Sequence, residues 1–199
     1  MESDLKVNNI LNFIATKHNY STELLFHSFN VAVIAKNIGI KLKLSQNELN
    51  DLGILGLTHD IGKSAIPDKI LYKPSALISK EWEVMKKHSE YSQEIILNTE
   101  GLYVENEKLT ELSKIVRWHH EKYIGNGYPD KLKGEEIPFM SRILTIADIY
   151  EAITSPRIYR PRRIENPIAV MDSESGNAID PYIYNNYARK VLSDLSRIK

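Results

Sequence analysis

Residues 45–63 read SQNELNDLGILGLTHDIGK, and this stretch carries most of the information about the fold. Ser45 and Glu48 have the spacing of a capping box, which marks the start of a helix. Leucines at positions 49, 52 and 55 follow at three-residue steps, as on the buried face of a helix. We expect this helix to carry the pair His59-Asp60 and to end at Gly62. The stretch therefore predicts a helix that delivers an imidazole and a carboxylate to one turn.

Further histidines recur at intervals close to those that separate one helix from the next. The intervals are 32, 29, 31 and 28 residues, counted from 27 to 59, 59 to 88, 88 to 119 and 120 to 148. Each fits about one helix plus one connection. The positions are His27, His59, His88, the pair His119-His120, and Asp148, while His18 stands apart. Because bundle proteins build metal sites from facing helices, we expect one shared metal site.

The helical period dominates the chain, and alternating strand patterns are scarce. We predict an all-α fold, a single helical bundle with a long Gly/Pro loop between Gly125 and Pro138. The predicted helices cover residues 5–16, 22–38, 45–60, 79–88, 88–97, 107–120, 139–154 and 180–199. Ser21 or Thr22 is expected to cap the second of these and Gly39 to end it. Residues 156–176 read as irregular.

The length and composition indicate one soluble globular domain. The 199 residues fit a domain over residues 21–199, preceded by an N-terminal helical extension over residues 1–20. The 26 basic and 26 acidic side chains leave no net charge to attract nucleic acid or a membrane. The absence of cysteine excludes thiolate metal sites and fits a reducing compartment. No signal segment or membrane span is recognisable, so we expect a cytoplasmic protein.

The candidate site residues carry only imidazole and carboxylate groups. Eight side chains qualify as metal ligands: Glu23, His27, His59, Asp60, His88, His119, His120 and Asp148. These groups suit iron, manganese, zinc or nickel better than calcium. Because one ion takes about three to five protein ligands, eight candidates indicate two ions and leave room for a third. Two ions about 3.5–4 Å apart activate water and neutralise phosphate oxygens, which suits phosphodiester hydrolysis.

Each candidate also has an ordinary structural interpretation. A lone histidine on a helix is more often hydrogen-bonded or exposed than a ligand. Glu23 fits equally well as a first-turn acid that complements the helix dipole. Asp148 lies in an apolar run, and a buried carboxylate needs a partner, which favours a metal. The arginines at positions 157–163 suit either a solvated face or phosphate, and their place after the Asp148 helix favours phosphate.

Several longer motifs follow one another in a fixed order. They are Thr58-His59-Asp60-Ile61-Gly62-Lys63, Lys73-Pro74, Glu81-Trp82, Lys87-His88, His119-His120-Glu121, Gly125-Asn126-Gly127-Tyr128-Pro129, Ala147-Asp148 and Tyr159-Arg160. In this order the motifs resemble those of an HD-GYP domain, the bacterial branch of the HD phosphohydrolase superfamily. The match covers nearly everything from Glu23 onward. It implies a helical bundle of the HD phosphohydrolase type.

The resemblance implies a metal-dependent phosphodiesterase that opens cyclic di-GMP to linear pGpG, GMP or both, with iron or manganese as the typical metal. It places Asp60 as a bridging ligand and Glu23 as the extra acid of members that bind a third ion. Asp60 and Lys63 take the catalytic roles, with Lys63 stabilising charge on phosphate. The implied substrate-binding residues are Lys63, Gly127, Tyr128, Pro129, Arg157 and Arg160.

Departures from the family pattern cluster on the ligand side. Ile124, Pro156 and Ile158 replace the usual residues, and they bear on how guanine is held. Two alternatives therefore stay open: a phosphodiesterase for another cyclic dinucleotide such as cyclic GMP-AMP, and a non-catalytic cyclic-dinucleotide receptor or adaptor. An adaptor would bind diguanylate cyclases of the GGDEF class through the Gly-Tyr-Pro loop, and a homodimer is compatible with either role. The complete ligand set favours the enzyme.

Overall fold

The computed structural model describes residues 21–98, 106–155 and 164–197, and helices dominate these ranges. They are α1 (Thr22–Lys41), α2 (Gln46–Thr58), α3 (Asp68–Leu71), α4 (Ser79–Lys86), α5 (His88–Leu97), α6 (Asn106–Arg117), α7 (Phe139–Thr154), α8 (Pro167–Glu174), α9 (Pro181–Ile183) and α10 (Arg189–Arg197). Short 3-10 segments lie at Ile61–Ala65 and Gly134–Glu136, and a π turn, Tyr184–Ala188, joins α9 to α10. The described ranges contain no strand, which confirms the all-α prediction. The predicted helix over residues 5–16 lies outside them, as do Arg157 and Arg160.

The starts of the first two helices follow the predicted capping signals. The Ser21 hydroxyl accepts a hydrogen bond from the backbone N–H of Leu24, 3.3 Å away, at the start of α1. At the start of α2, the backbone N–H of Ser45 donates to the Glu48 carboxylate at 2.7 Å, which completes a capping box. Both caps satisfy backbone donors that a helix start leaves unpaired. They fix the start of the helix that carries His27 and of the helix that leads to His59.

Helix α1 packs against α2 and α7, and α5 packs against α6 and the 3-10 segment Ile61–Ala65. The side chains that fill the space between these helices are fully or almost fully buried: Val31, Ile38, Leu52, Leu55, Ile61, Leu112, Val116, Ile143 and Leu144. Burying each large apolar side chain contributes about 1.5–3 kcal/mol. The core therefore holds the ends of α2 and α6 in fixed positions against α1 and α7.

Gly39 does not end α1, contrary to the prediction. The helix continues to Lys41, and the positive φ that follows it, 60°, belongs to Lys43. A Cβ at position 39 would lie 2.8 Å from the side chains of Leu49 and Leu52. The glycine is needed because α2 approaches the backbone of α1 closely at this point.

Gly62 also has a different role from the predicted one. Helix α2 ends earlier, at Thr58, and Gly62 lies inside the 3-10 segment with the chain already turned. A Cβ there would lie 2.0 Å from the carbonyl oxygen of His88 and 2.4 Å from the backbone nitrogen of Ser92. The glycine lets the turn that follows Asp60 touch α5.

Two boundaries near the C-terminal half differ from the prediction. Helix α6 ends at Arg117, so His119 and His120 lie in the turn that follows it. The range 156–176, predicted as irregular, contains α8, where the Asn166 side chain caps the helix and Pro167 occupies its first turn. Among the described residues, no helix is long and apolar enough to cross a membrane.

Candidate metal centre

Seven of the eight predicted ligands come together from five parts of the bundle, and Glu23 is the exception. His27 lies on α1, His59 and Asp60 directly follow α2, and His88 begins α5. His119 and His120 follow α6, and Asp148 lies on α7. The side chains of His27, His59, Asp60, His88 and His119 are at most 3% exposed. Residues up to 121 positions apart in sequence therefore meet in one buried cluster.

Asp60 lies at the centre of this cluster. Its Oδ2 atom is 3.3 Å from Nε2 of His27 and 3.5 Å from Nε2 of His59. Its Oδ1 atom is 3.3 Å from Nε2 of His88 and 3.8 Å from Nε2 of His119. The two carboxylate oxygens thus face two different groups of donors. One group is His27, His59 and Asp60, and the other is Asp60, His88, His119 and His120.

Asp148 lies against both groups, although closer to the first. Its Oδ1 atom is 3.2 Å from Nε2 of His27, and its Oδ2 atom is 3.9 Å from Nδ1 of His120. Within the second group, Nε2 of His120 is 3.0 Å from Nε2 of His88. The ligand atoms therefore surround two adjacent positions that share Asp60.

Three of the imidazoles are oriented by the same kind of hydrogen bond. Nδ1 of His59, His88 and His119 donates to the carbonyl oxygen three residues earlier in the chain, at 2.8, 2.7 and 2.6 Å. The acceptors are the carbonyls of Gly56, Met85 and Val116. With Nδ1 carrying the proton, Nε2 of each ring is left with its lone pair directed at Asp60. This arrangement is typical of metal-binding histidines.

The charges of the cluster are set by burial and by mutual contact. Burial, together with the neighbouring imidazoles, lowers the pKa of His59, His119 and His120, and that of His119 falls to about 3. Burial also acts to lower the pKa of His27, but hydrogen bonds with Asp148 and other carboxylates outweigh it and raise this pKa to about 10. Despite burial, the pKa of Asp60 lies well below its ordinary value because Lys63 and His59 are close. The cluster therefore combines a protonated His27 with neutral rings at His59, His119 and His120 and with an ionised Asp60.

The donor set fits divalent cations. Nε2 of His59, Oδ1 of Asp60 and Nε2 of His119 are buried and have no hydrogen-bond partner within the described ranges. Buried polar atoms are normally satisfied, so three such atoms within one cluster indicate a missing partner. Imidazole nitrogen and carboxylate oxygen are the ligands that iron, manganese and zinc accept. The residues present would satisfy such ions without rearrangement of the fold.

A cavity of about 750 Å³ opens beside the cluster. His88 and His120 form its floor, and its walls include Lys63, Tyr72, Lys73, Trp82, Met85 and Tyr128. A volume of this size is typical of sites that bind a small molecule. Glu23 also borders this cavity, but its side chain is exposed and belongs to neither donor group.

Comparison with known proteins agrees with this geometry. Residues 10–183 match a family model described as an HD domain. The chain belongs to the HD domain family. A solved structure of Bd1817, an HDG"Y"P protein from Bdellovibrio bacteriovorus, superimposes with a TM-score of 0.66 at 14% identity, covering 98% of this chain and 62% of that one. The predicted fold and the resemblance to HD-GYP proteins are confirmed.

Two curated relatives of this HD domain are cyclic-dinucleotide phosphodiesterases. The 3'3'-cGAMP-specific phosphodiesterase 2 of Vibrio cholerae is 36% identical over 155 residues, which cover 77% of this chain and 28% of the relative. A cyclic di-GMP phosphodiesterase of Thermotoga maritima is 30% identical over 196 residues, which cover 96% of this chain and 51% of the relative. The chain thus spans between about a quarter and a half of the length of these two relatives.

Hydrogen bonds hold the Gly/Pro loop of the HD domain in place directly after Pro129. Oε1 of the buried Glu121 accepts hydrogen bonds from the backbone N–H groups of Asp130 and Lys131 at 2.7 and 2.9 Å. The Asp130 carboxylate accepts two hydrogen bonds from Arg117, at 2.8 and 2.9 Å. These hydrogen bonds tie the loop to the end of α6, where the two adjacent histidines lie.

The three loop residues predicted to bind substrate have different positions. The Tyr128 ring lies 4.8 Å from the ring of His120 and borders the cavity. Gly127 is buried, and a Cβ there would lie 2.4–2.6 Å from backbone atoms of residues 120–122, so it allows the loop to pack on the histidine turn. Pro129 follows a cis peptide bond and does not border the cavity. Tyr128 is therefore the loop side chain placed beside the donors.

Sequence reasoning did not assign roles to several residues around the site. Glu151 accepts a hydrogen bond from Nδ1 of His27 at 2.5 Å. Tyr72 and Trp82 form walls of the cavity. The signal for Glu151 was its position three residues after Asp148, which places both acids on one face of α7. Trp82 belongs to the Glu81-Trp82 motif but was given no role, and no signal marks Tyr72. The approach of both side chains to the site depends on how the connection between α3 and α4 folds.

Proposed function

We propose that this chain is a metal-dependent phosphodiesterase that hydrolyses cyclic di-GMP to linear pGpG, GMP or both. The observation that carries the proposal is a pair of donor groups sharing Asp60 beside a cavity of about 750 Å³. The relative from Thermotoga maritima, which aligns with 96% of this chain, is named for the same activity. Because the chain spans only part of that relative, the activity is inferred for this chain from its own residues.

Two divalent ions are proposed, and among the metals that accept imidazole and carboxylate the family resemblance favours iron or manganese. His27, His59, Asp60 and Asp148 would hold one ion, while His88, His119 and His120 would hold the other together with Asp60. When bound, the ions lower the pKa of water and neutralise phosphate oxygens. Glu23 stays a prediction as the ligand of a third ion, supported by its position at the rim of the cavity.

The chain's own residues supply the remaining parts of the reaction. Lys63 borders the cavity and forms an ion pair with Asp60, so its ammonium group lies where charge on a bound phosphate would develop. Tyr128, Tyr72 and Trp82 offer aromatic surface at which a nucleobase would stack. Phosphate contacts from Arg157 and Arg160 stay a prediction from the sequence.

A second substrate, cyclic GMP-AMP, is favoured by one specific observation. The Vibrio cholerae relative at 36% identity is named as specific for that dinucleotide. The two substrates share the cyclic phosphodiester ring and differ in one base, so the same metal centre serves both. Specificity then depends on the cavity walls and on the departures at Ile124, Pro156 and Ile158.

The proposal is tested by hydrolysis of a substrate panel. The protein is purified without oxygen, loaded with ferrous or manganous ions, and incubated with cyclic di-GMP and cyclic GMP-AMP while products are followed by chromatography. We expect linear dinucleotide or GMP from cyclic di-GMP, and none from the Asp60→Ala variant. Asp194→Ala is the matched control, because Asp194 is exposed on α10 and pairs with Lys190.

Other results of the same experiment would support one of the alternative functions. Faster hydrolysis of cyclic GMP-AMP assigns that substrate instead. Tight binding of either dinucleotide without any product supports a receptor, and binding to a GGDEF-class diguanylate cyclase that survives Asp60→Ala supports an adaptor. Cytoplasmic location and a homodimer stay predictions from the sequence.

A further inference from the structure

The ring of His27 is held differently from those of the other oriented histidines. Nδ1 of His59, His88 and His119 faces a backbone carbonyl, whereas Nδ1 of His27 faces the Glu151 carboxylate at 2.5 Å. His27 and Glu151 are each 3% exposed. A carboxyl group, and not a backbone carbonyl, therefore lies behind the imidazole of His27, on the side away from Asp60.

Glu151 is itself fixed in place by further contacts. Its Oε1 atom accepts hydrogen bonds from the Ser155 hydroxyl at 2.6 Å and from the Asn30 amide at 3.3 Å. Asn30 lies on α1 close to His27, so Glu151 connects α7 to α1. A buried carboxylate with donors on both oxygens has little freedom to rotate.

Asp148 and Glu151 act on opposite nitrogens of the same ring. They lie three residues apart on α7, hence on one face of the helix, and Asp148 is 3.2 Å from Nε2 of His27. Helix α7 thus contacts both nitrogens of the His27 ring, through Asp148 and Glu151. Because Nδ1 is held by Glu151, Nε2 is the nitrogen that faces Asp60 and Asp148, and it would coordinate an ion once its own proton has left.

We propose that Glu151 is a positioning residue that orients His27 and makes the group of His27, His59 and Asp60 the tighter of the two ion sites. A carboxylate behind a histidine ligand raises the basicity of the ring and fixes its orientation, and removing such a partner weakens metal affinity by about 10- to 100-fold. In the second donor group, Nδ1 of His88 and of His119 faces a neutral backbone carbonyl, and Nδ1 of His120 lies 3.9 Å from Asp148, beyond hydrogen-bond distance. This inference rests on the proposed metal centre.

The experiment measures Mn²⁺ binding in the absence of any nucleotide, by calorimetry and by electron paramagnetic resonance. Glu151→Gln keeps the shape of the side chain and removes its charge. Glu94→Gln is the matched control, because Glu94 is exposed on α5. We expect two binding steps in the unsubstituted protein and in Glu94→Gln. In Glu151→Gln the tighter step weakens about 10- to 100-fold, while the other changes less than about threefold.

A double-mutant comparison shows whether Glu151 acts through His27. His27→Ala weakens the tighter step, and adding Glu151→Gln to it produces no further loss if the carboxylate works only by holding the ring. Ser155→Ala removes one hydrogen bond to Glu151 and serves if Glu151→Gln does not fold. It is expected to weaken the same step about two- to fivefold, in line with the loss of a single hydrogen bond.

The possible results separate this inference from the proposed function. Equal weakening of both steps, an unchanged tighter step, or a further loss in the His27→Ala background each overturns the role of Glu151. In those cases the metal centre itself still stands, because the unsubstituted protein binds two ions. If the unsubstituted protein binds no Mn²⁺, the proposed function fails and this inference fails with it.

Discussion

Asp60 and Lys63 lie where the cluster of histidines and carboxylates borders the cavity. The Lys63 ammonium pairs with Asp60 and borders the cavity, whereas the Asp60 carboxylate is 1% exposed. Lys63→Met retains the length of the side chain and removes its charge. Since no donor of the cluster is lost, we expect bound metal to stay unchanged and kcat to fall about 100- to 1000-fold. Metal content by mass spectrometry and turnover of cyclic di-GMP check the two parts.

Lys190→Met is the control for this substitution, because Lys190 is exposed on α10 and pairs only with Asp194 in the described contacts. It should leave both readouts unchanged. If Lys63→Met kept full turnover, the assignment of Lys63 to charge stabilisation would be wrong. If it lost its metal, Lys63 would instead be part of the support for Asp60.

The protonation of His27 predicts how metal affinity depends on pH. Its pKa is raised to about 10 by its carboxylate partners, so at neutral pH an ion must displace one proton. Competition from protons weakens as pH rises toward that pKa. Affinity at this site should therefore increase about tenfold per pH unit between pH 6 and 8. Mn²⁺ titrations at several pH values check the slope, and a flat profile would show that His27 carries no proton to displace.

At the scale of elements, contact between the 3-10 segment and α5 holds Asp60 close to His88. Gly62→Ala would place a Cβ 2.0 Å from the carbonyl oxygen of His88, which is backbone and cannot move aside cheaply. We expect a loss of at least about 3 kcal/mol in the free energy of unfolding, or no folded protein. Gly53→Ala is the matched control, since its Cβ meets only the flexible Lys36 side chain at 3.3 Å.

Chemical denaturation of both glycine variants gives the comparison. Gly53 lies inside α2, so alanine there should stabilise the protein by about 0.5–1 kcal/mol through helix propensity. The close approach of the 3-10 segment to α5 would be contradicted by a Gly62→Ala variant as stable as Gly53→Ala.

The glycines also show where prediction from sequence stops at this scale. Glycine serves two purposes, a left-handed backbone or a close approach, and a single sequence does not distinguish them. Gly39 and Gly62 were both predicted to end helices, yet both make room for a packed neighbour. The left-handed position after α1 belongs to Lys43, which no local signal marks. Capping pairs such as Ser45 with Glu48 were predictable because both members are local.

At the scale of the whole molecule, five separate parts of the bundle supply the ligands, so ion binding should stabilise the entire fold. An ion that binds only the folded chain adds about 2.7 kcal/mol when its concentration is 100 times its Kd. For a chain of this length, that corresponds to a rise in Tm of roughly 5–10 °C. Thermal unfolding with Mn²⁺ should show this rise, and Asp60→Ala should lose it. An equal rise in both proteins would place the binding elsewhere.

The spacing predicted that the histidines would lie together, because each interval equals a helix and its connection. The group that each imidazole contacts through Nδ1 was not predictable in the same way. That Nδ1 of His27 meets Glu151 while other rings meet carbonyls depends on how α1 and α7 pack. The walls of the cavity, such as Trp82 beside Tyr128, likewise arise from tertiary contact between a helix and a distant loop.

Anomalous diffraction from crystals grown with Mn²⁺ tests the central claim most directly, because it locates the ions without reference to activity. Two manganese peaks about 3.5–4 Å apart are predicted on either side of Asp60. One should lie against His27 and His59, and the other against His88, His119 and His120. A single peak, or peaks that do not touch Asp60, would contradict a two-ion centre in this bundle.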